Sequence, residues 1–179
     1  MVWVLGILSI DGGVYHKRKI RFIDDQSLRP TGSRVRTILF DWLRMEVKGK
    51  DCLDLFSGSG ILSFQALSWG AKSSLCIDQN IKVCSMIQEQ ADILGAKINT
   101  QKLSLPNKIT GEYDICFIDP PFSQQEVLKQ VLFSIQKQQI LKPDAIVYVE
   151  WGTMLELKDW NILKYKKVGQ VHMHLLEQK

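Results

Sequence analysis

Cys52-Leu53-Asp54-Leu55-Phe56-Ser57-Gly58-Ser59-Gly60 decides the fold. The run from Cys52 to Phe56 is apolar except for Asp54 and reads as a buried strand. Two glycines then allow a tight turn, and residues 60–68 resume with helical periodicity. In an open α/β sheet such a turn lies at the carboxyl edge of a central strand, where ligands bind.

Downstream the same alternation repeats. Ser74 to Asp78 reads as strand, 80–94 as helix, Tyr113 to Ile118 as strand, 123–137 as helix and Ala145 to Glu150 as strand. This order predicts a doubly wound, mainly parallel sheet. Ile162 to Lys167 and Gln170 to Leu176 flank Val168-Gly169, which predicts an antiparallel C-terminal hairpin on the sheet edge. A parallel sheet closed in this way is the arrangement of class I S-adenosylmethionine-dependent methyltransferases.

Upstream, residues 4–10 and 18–23 are β-like around the turn signal Asp11-Gly12-Gly13. Ser33 is placed to cap a helix whose stripe is Val35, Ile38, Leu39, Trp42 and Leu43, with Arg34, Arg36 and Arg44 off the stripe and facing outward. With 179 residues and 45% apolar side chains, one domain is expected, made of a basic N-terminal β/α extension (1–48) and a catalytic core (49–179). Residues 1–50 carry ten Lys and Arg against five Asp and Glu, although the whole chain is only +4. That surplus favours a polyanion near Lys17, Arg18, Lys19, Arg21, Arg29, Arg34 and Arg36. The four cysteines form no Cys-x-x-Cys pair and read as core, while His172 and His174 lack a third ligand at metal spacing, so no metal is expected. The apolar first ten residues are too short to span a bilayer and follow no basic segment, and a cytoplasmic location is expected.

The glycine turn selects among cofactors. Ser63 stands where a dinucleotide fingerprint has its third Gly or Ala. Asp54 precedes the turn, where its charge repels a pyrophosphate and suits the ammonium of S-adenosylmethionine. Phe56, Ser57, Gly58 and Gly60 complete the expected cofactor turn, and Asp78, ending the next strand, is placed to accept from ribose hydroxyls. The second constellation is Asp119-Pro120-Pro121-Phe122, directly after an apolar strand. The prolines make a stiff turn. Asp119 and the Pro120 carbonyl are two acceptors for the hydrogens of an amino group, and Phe122 offers a face for a flipped base.

Leu28-Arg29-Pro30-Thr31-Gly32-Ser33-Arg34-Val35-Arg36, Leu39-Phe40-Asp41-Trp42-Leu43, the Asp54 to Gly60 turn and Asp119 to Phe122 stand in the order and spacing of the RsmD family, which the chain resembles over nearly its whole length. The resemblance implies methylation of the N2 amine of a guanine in small-subunit (16S) ribosomal RNA, with S-adenosylmethionine as methyl donor. It also implies that Asp54, Gly58, Gly60 and Asp78 hold the cofactor, that Asp119 and Pro120 hold the amine, and that Phe122 stacks on the base. Arg18, Arg29, Thr31, Arg34 and Arg36 are implied to face RNA or to order the substrate loop. The chain departs from the family pattern at Ser9, Asp11 and Lys17, and at Lys102, where an acceptor for the adenine amine is usual, so that adenine recognition falls to Ser104 or to backbone groups. The alternatives are an adenine-N6 methyltransferase of DNA or RNA, since the same motif serves that amine, a noncatalytic RNA-binding protein on the same fold, and a nicotinamide-linked oxidoreductase, against which the absent third glycine counts.

Overall fold

The computed structural model describes residues 5–23, 31–122, 124–155 and 157–179. The first strands, β1 (Leu5–Ser9) and β2 (Lys19–Ile23), pair antiparallel as a separate arm, followed by α1 (Ser33–Trp42). The core then runs β3 (Asp51–Leu55), α2 (Ile61–Ser68), β4 (Ser73–Asp78), α3 (Ile81–Leu94), β5 (Ile98–Lys102), β6 (Tyr113–Ile118), α4 (Gln125–Lys137), β7 (Leu141–Trp151), β8 (Trp160–Val168) and β9 (Val171–Gln178). Seven strands form one sheet in the order β5-β4-β3-β6-β7-β9-β8, with β9 antiparallel to both of its neighbours and the other pairings parallel. This is the expected doubly wound sheet with its antiparallel hairpin.

Chain order reverses at β3, whose neighbours are β4 on one side and β6 on the other. The connecting helices leave in opposite directions there, which opens a crevice at the carboxyl ends of β3 and β6. Side chains alternate along the strands, so that Cys52, Phe117 and Tyr148 join one buried cluster with α1, α2 and α3, while Leu53, Cys116 and Val147 join another with α4. Phe40 of α1 meets Phe117 of β6 with ring centroids 6.2 Å apart. That contact seats α1 against the strand that leads directly into Asp119.

Four local expectations are corrected. The first helical residue of α1 is Ser33 itself, and the capping position is Gly32, which has no side-chain capping bond. Arg36 does not face outward. Its side chain is buried, because its guanidinium satisfies Asp11 and two backbone carbonyls inside the arm. The strand β5 was not foreseen, since Asn99, Thr100, Gln101 and Lys102 lack an apolar run. The strand β7 begins four residues early, at Leu141, and a register irregularity against β6 accommodates Pro143 and the positive φ of Asp144.

Candidate active site

The turn after β3 is built by its own backbone. Phe56, Gly58 and Gly60 all have positive φ, a costly conformation for the non-glycine Phe56. The Ser57 side chain holds the turn by donating to the Asp54 carbonyl (2.7 Å) and the Ile77 carbonyl (3.1 Å), and Gly60 N–H donates to the Ser57 carbonyl (2.6 Å). A Cβ on Gly60 would lie 3.1 Å from Ile87, whereas at Gly58 it would meet only the Phe56 carbonyl at 3.8 Å. Gly60 is thus required by packing as well as by φ. Gly58 leaves room for close approach of a ligand.

Two carboxylates brace this turn. Asp78 at the end of β4 accepts from Gly58 N–H (3.1 Å) and from Asn80 N–H (2.8 Å), and Asn80 rather than Asp78 caps α3 by accepting from Lys82 N–H. Asp54 is buried and accepts from the Ser63 hydroxyl at 2.8 Å. Ser63, notable in the sequence only for the glycine it replaces, therefore has a structural duty. Burial, helped by the nearby carboxylates of Asp119 and Asp78, pushes the Asp54 carboxyl up to about 7 against the pull of the Ser63 bond. Such a group gains most from a cation.

Asp119 follows β6 on the other side of the crevice. Its Oδ2 accepts from the Thr31 hydroxyl at 2.7 Å, and burial raises its pKa to about 6 while that bond opposes the rise. Thr31 is held in turn, because its carbonyl accepts from Arg36 Nη1 at 2.7 Å. Arg36 Nε and Nη2 reach Asp11 at 3.0 and 2.6 Å, and the Asp11 carbonyl accepts from Trp69 Nε1 and the Gln65 amide of the α2 region. Thr31 and Arg36 were expected to face RNA or to order the substrate loop. Both are buried, and Arg36 is a bolt between arm and helix rather than a phosphate ligand.

One cleft is lined by Asp54, Phe56, Ser57, Gly58, Thr31 and Asp119, with Phe22 and Ile23 of the arm as an apolar side. The cofactor turn and the amine motif thus open into the same space. Phe122 lies beyond Asp119 with 45% of its surface exposed, and its ring stands edge-on to Trp151 (67° between planes, centroids 5.6 Å apart). Pro120 is buried and Pro121 partly so. Lys102 pairs with Asp78 across β4 and β5 and is exposed. Arg34 is exposed on α1, while Arg18 lines a different groove, between the arm and α3. Arg29 lies outside the described residues.

One buried pair, within the stretch Tyr148-Val149-Glu150 that the resemblance covers, had no expected role. The Tyr148 hydroxyl donates to Glu150 Oε2 at 3.0 Å, both residues are buried, and the charges of Glu150 and Asp119 both bear on the Tyr148 phenol. The available signal was an acid inside the apolar run Val147-Tyr148-Val149-Glu150-Trp151.

The chemistry of the donor set fits a cationic, nucleoside-like methyl donor: a buried acid, a glycine turn open to approach, and a strand-end carboxylate beside it. A seven-stranded sheet of this order, with that turn and an Asp-Pro-Pro-Phe motif sharing one cleft, defines an α/β methyltransferase of the class I type. The chain belongs to the family described as Conserved hypothetical protein 95, which matches residues 8–177, and this bears out the RsmD resemblance. It is 35% identical over 181 residues to ribosomal RNA small subunit methyltransferase D of Buchnera aphidicola subsp. Baizongia pistaciae, covering 94% of this chain and 90% of that one. To the protein of the same name in Escherichia coli (strain K12) it is 30% identical over 181 residues, covering 97% and 91%. The solved structure of yhhF from Escherichia coli, a candidate methyltransferase, superposes with a TM-score of 0.86 at 29% identity and covers 97% of this chain and 99% of that one. Among the described residues no helix is long and apolar enough to cross a membrane.

Proposed function

We propose that this protein transfers a methyl group from S-adenosylmethionine to the exocyclic N2 amine of a guanine in small-subunit ribosomal RNA. The observation that carries the reading is the shared cleft, in which Asp54 of the cofactor turn and Asp119 of the amine motif line one space. The names of the relatives support ribosomal RNA as the substrate. The choice of guanine N2 rests on the segment Leu28 to Arg36 and its resemblance to the RsmD family.

When bound, the cofactor supplies an electrophilic methyl on a sulfonium. The chain's own residues do the rest by placement. Asp54 sets a negative charge under the ammonium end, and Asp78, whose oxygens keep lone pairs beyond the two backbone bonds, receives the ribose hydroxyls. Asp119, with Oδ2 engaged by Thr31, offers Oδ1 to one amine hydrogen, and the Pro120 carbonyl accepts the other. Holding both hydrogens out of the ring plane localises a lone pair that the base otherwise delocalises, and orientation lowers the barrier without a covalent enzyme intermediate. The surplus proton of the methylated amine leaves through Asp119 or solvent. Phe122 stacks on the flipped base.

The test incubates the enzyme with labelled S-adenosylmethionine and small-subunit particles from cells lacking the protein, followed by digestion to nucleosides. Label in N2-methylguanosine is expected. Label in N6-methyladenosine alone would transfer the same site to the adenine reading, and binding of particles without any label would leave a noncatalytic RNA-binding protein.

A further inference from the structure

The segment from Trp160 to Leu176 contains no Asp or Glu, yet it carries Lys164, Lys166 and Lys167 within four residues. Acids elsewhere in residues 51–179, where 13 Lys and Arg face 14 Asp and Glu, hide this in the charge totals. All three lysines are exposed on β8, and none forms an ion pair among the described residues. Tyr165, 41% exposed, shares its face of β8 with Lys167, whereas Lys164 and Lys166 point to the opposite face, where Lys164 Nζ donates to the Trp42 carbonyl at 3.5 Å. The Tyr165 ring rests against His172 and His174, with centroids 5.8 and 5.2 Å away, and its hydroxyl is hydrogen-bonded to His172 Nδ1 at 2.7 Å. His174 is itself fixed, since its Nε2 accepts from Leu155 N–H (3.4 Å) in the loop after β7.

This ring is connected to the candidate active site along the sheet. Phe122 touches Trp151, Trp151 pairs with His172 across β7 and β9, and His172 pairs with Lys167 across β9 and β8. From Trp151 to Lys167 is two strand spacings, about 10 Å, the rise of about three stacked nucleotides. An immobilised aromatic face beside Lys167, which has no ion pair among the described residues, in a stretch (160–176) without a carboxylate, has the two attributes of a single-stranded nucleic-acid track.

We infer that the β8–β9 hairpin is a second RNA contact, in which Tyr165 stacks on an unpaired base flanking the target nucleotide while Lys167, on the same face, neutralises a phosphate beside it. The inference deepens the proposed function and rests on RNA being the substrate. The hairpin acts on RNA affinity and base presentation and leaves methyl transfer to Asp119.

The test uses the full chain, undermethylated small-subunit particles and a single-stranded RNA oligonucleotide. Tyr165→Ala is expected to weaken affinity for both RNAs about tenfold and to raise KM for particles with a much smaller change in kcat, and Tyr165→Phe is expected to restore both. Lys167→Ala should lower the slope of log affinity against log salt by about one unit, and Lys164→Ala and Lys166→Ala, on the opposite face, should change it less. Circular dichroism of the exposed-site variants checks the fold. If wild type methylates particles but the Tyr165→Ala and Lys167→Ala variants keep its affinity, KM and salt slope, the hairpin contact is overturned and the methylation reading stands. If wild type binds RNA in a Tyr165-dependent way but transfers no methyl group, the hairpin contact stands and the methylation reading falls. Tight binding of a protein partner by the hairpin, with no RNA affinity, overturns the inference.

Discussion

The Thr31 hydroxyl donates to Asp119 Oδ2 at 2.7 Å across 88 positions of sequence. This bond couples the start of the α1 segment to the amine motif, and it favours the ionised form of a carboxyl that burial pushes up to about 6. Removing it in Thr31→Val therefore raises the Asp119 pKa. The acid limb of the kcat profile should move to higher pH by about one unit. Thr31→Ser should restore the wild-type limb, and a limb that stays in place in Thr31→Val would show that the bond does not tune Asp119.

Arg36 separates stability from RNA binding. Its guanidinium is buried against Asp11, the Ser9 carbonyl and the Thr31 carbonyl, so Arg36→Ala leaves Asp11 and two carbonyls unpaired. Asp11 is 36% exposed and regains water, so the cost comes mainly from the carbonyls, and a loss of about 2 kcal/mol in urea unfolding is expected. Lysine does not reproduce the fork and should rescue only part of it. Arg34, exposed on the same helix, should show the reverse pattern on conversion to Ala: stability near wild type, with the RNA salt slope lowered by about one unit.

The same pair of arginines marks how far the sequence could be read. Strand-helix alternation from Cys52 onward fixed the sheet, because buried parallel strands are continuous apolar runs whose ends point to the ligand edge. Face assignment on α1 failed at Arg36, since helical period places a side chain without saying what packs over it. Here the arm folds across the helix and supplies Asp11. The Ser63–Asp54 and Thr31–Asp119 bonds were equally invisible, being properties of packing between segments far apart in sequence. The polar strand β5 offered no apolar signal, and its pairing with β4 is what defines it.

Charge and pH should act together at Asp54. Its pKa, pushed up to about 7, lies above the ordinary carboxyl value of 3.8, so between these values the unfolded chain has lost the proton that the folded chain keeps. Stability from this group is fully present below about 4 and is lost as pH rises through about 7. The melting temperature of wild type should thus fall from pH 5 to 8 relative to Asp54→Asn. A cationic ligand favours the ionised carboxyl, so calorimetry should show S-adenosylmethionine binding tighter at pH 8 than at pH 6, with proton release. Asp54→Asn should bind weakly and without that pH dependence. Equal affinity of wild type at both pH values would remove Asp54 from the cofactor site.

Asp119 and Phe122 divide the handling of the acceptor between polarity and shape. Asp119 holds an amine hydrogen where nitrogen must become nucleophilic, so its contribution is made mainly in the transition state, and Asp119→Ala should lower kcat by about a hundredfold or more. Cofactor affinity should change little, because the glycine turn and Asp54 remain. Asp119→Asn keeps the volume and one acceptor oxygen, but the Thr31 hydroxyl and the amine then compete for it, and an intermediate loss is expected. Phe122, held edge-on by Trp151, presents an exposed face. Phe122→Ala should raise KM for particles and lower kcat less than Asp119→Ala does, while Phe122→Tyr keeps the ring and should stay near wild type. Gly152→Ala would bring a methyl group to 3.3 Å from Phe122 Cδ2 and should reproduce a weak form of the Phe122 defect by shifting the ring. Single-turnover rates with labelled S-adenosylmethionine, measured at saturating particles, separate the two residues. A Phe122→Ala enzyme as slow as Asp119→Ala under those conditions would mean that the ring acts on the chemical step and not on base positioning.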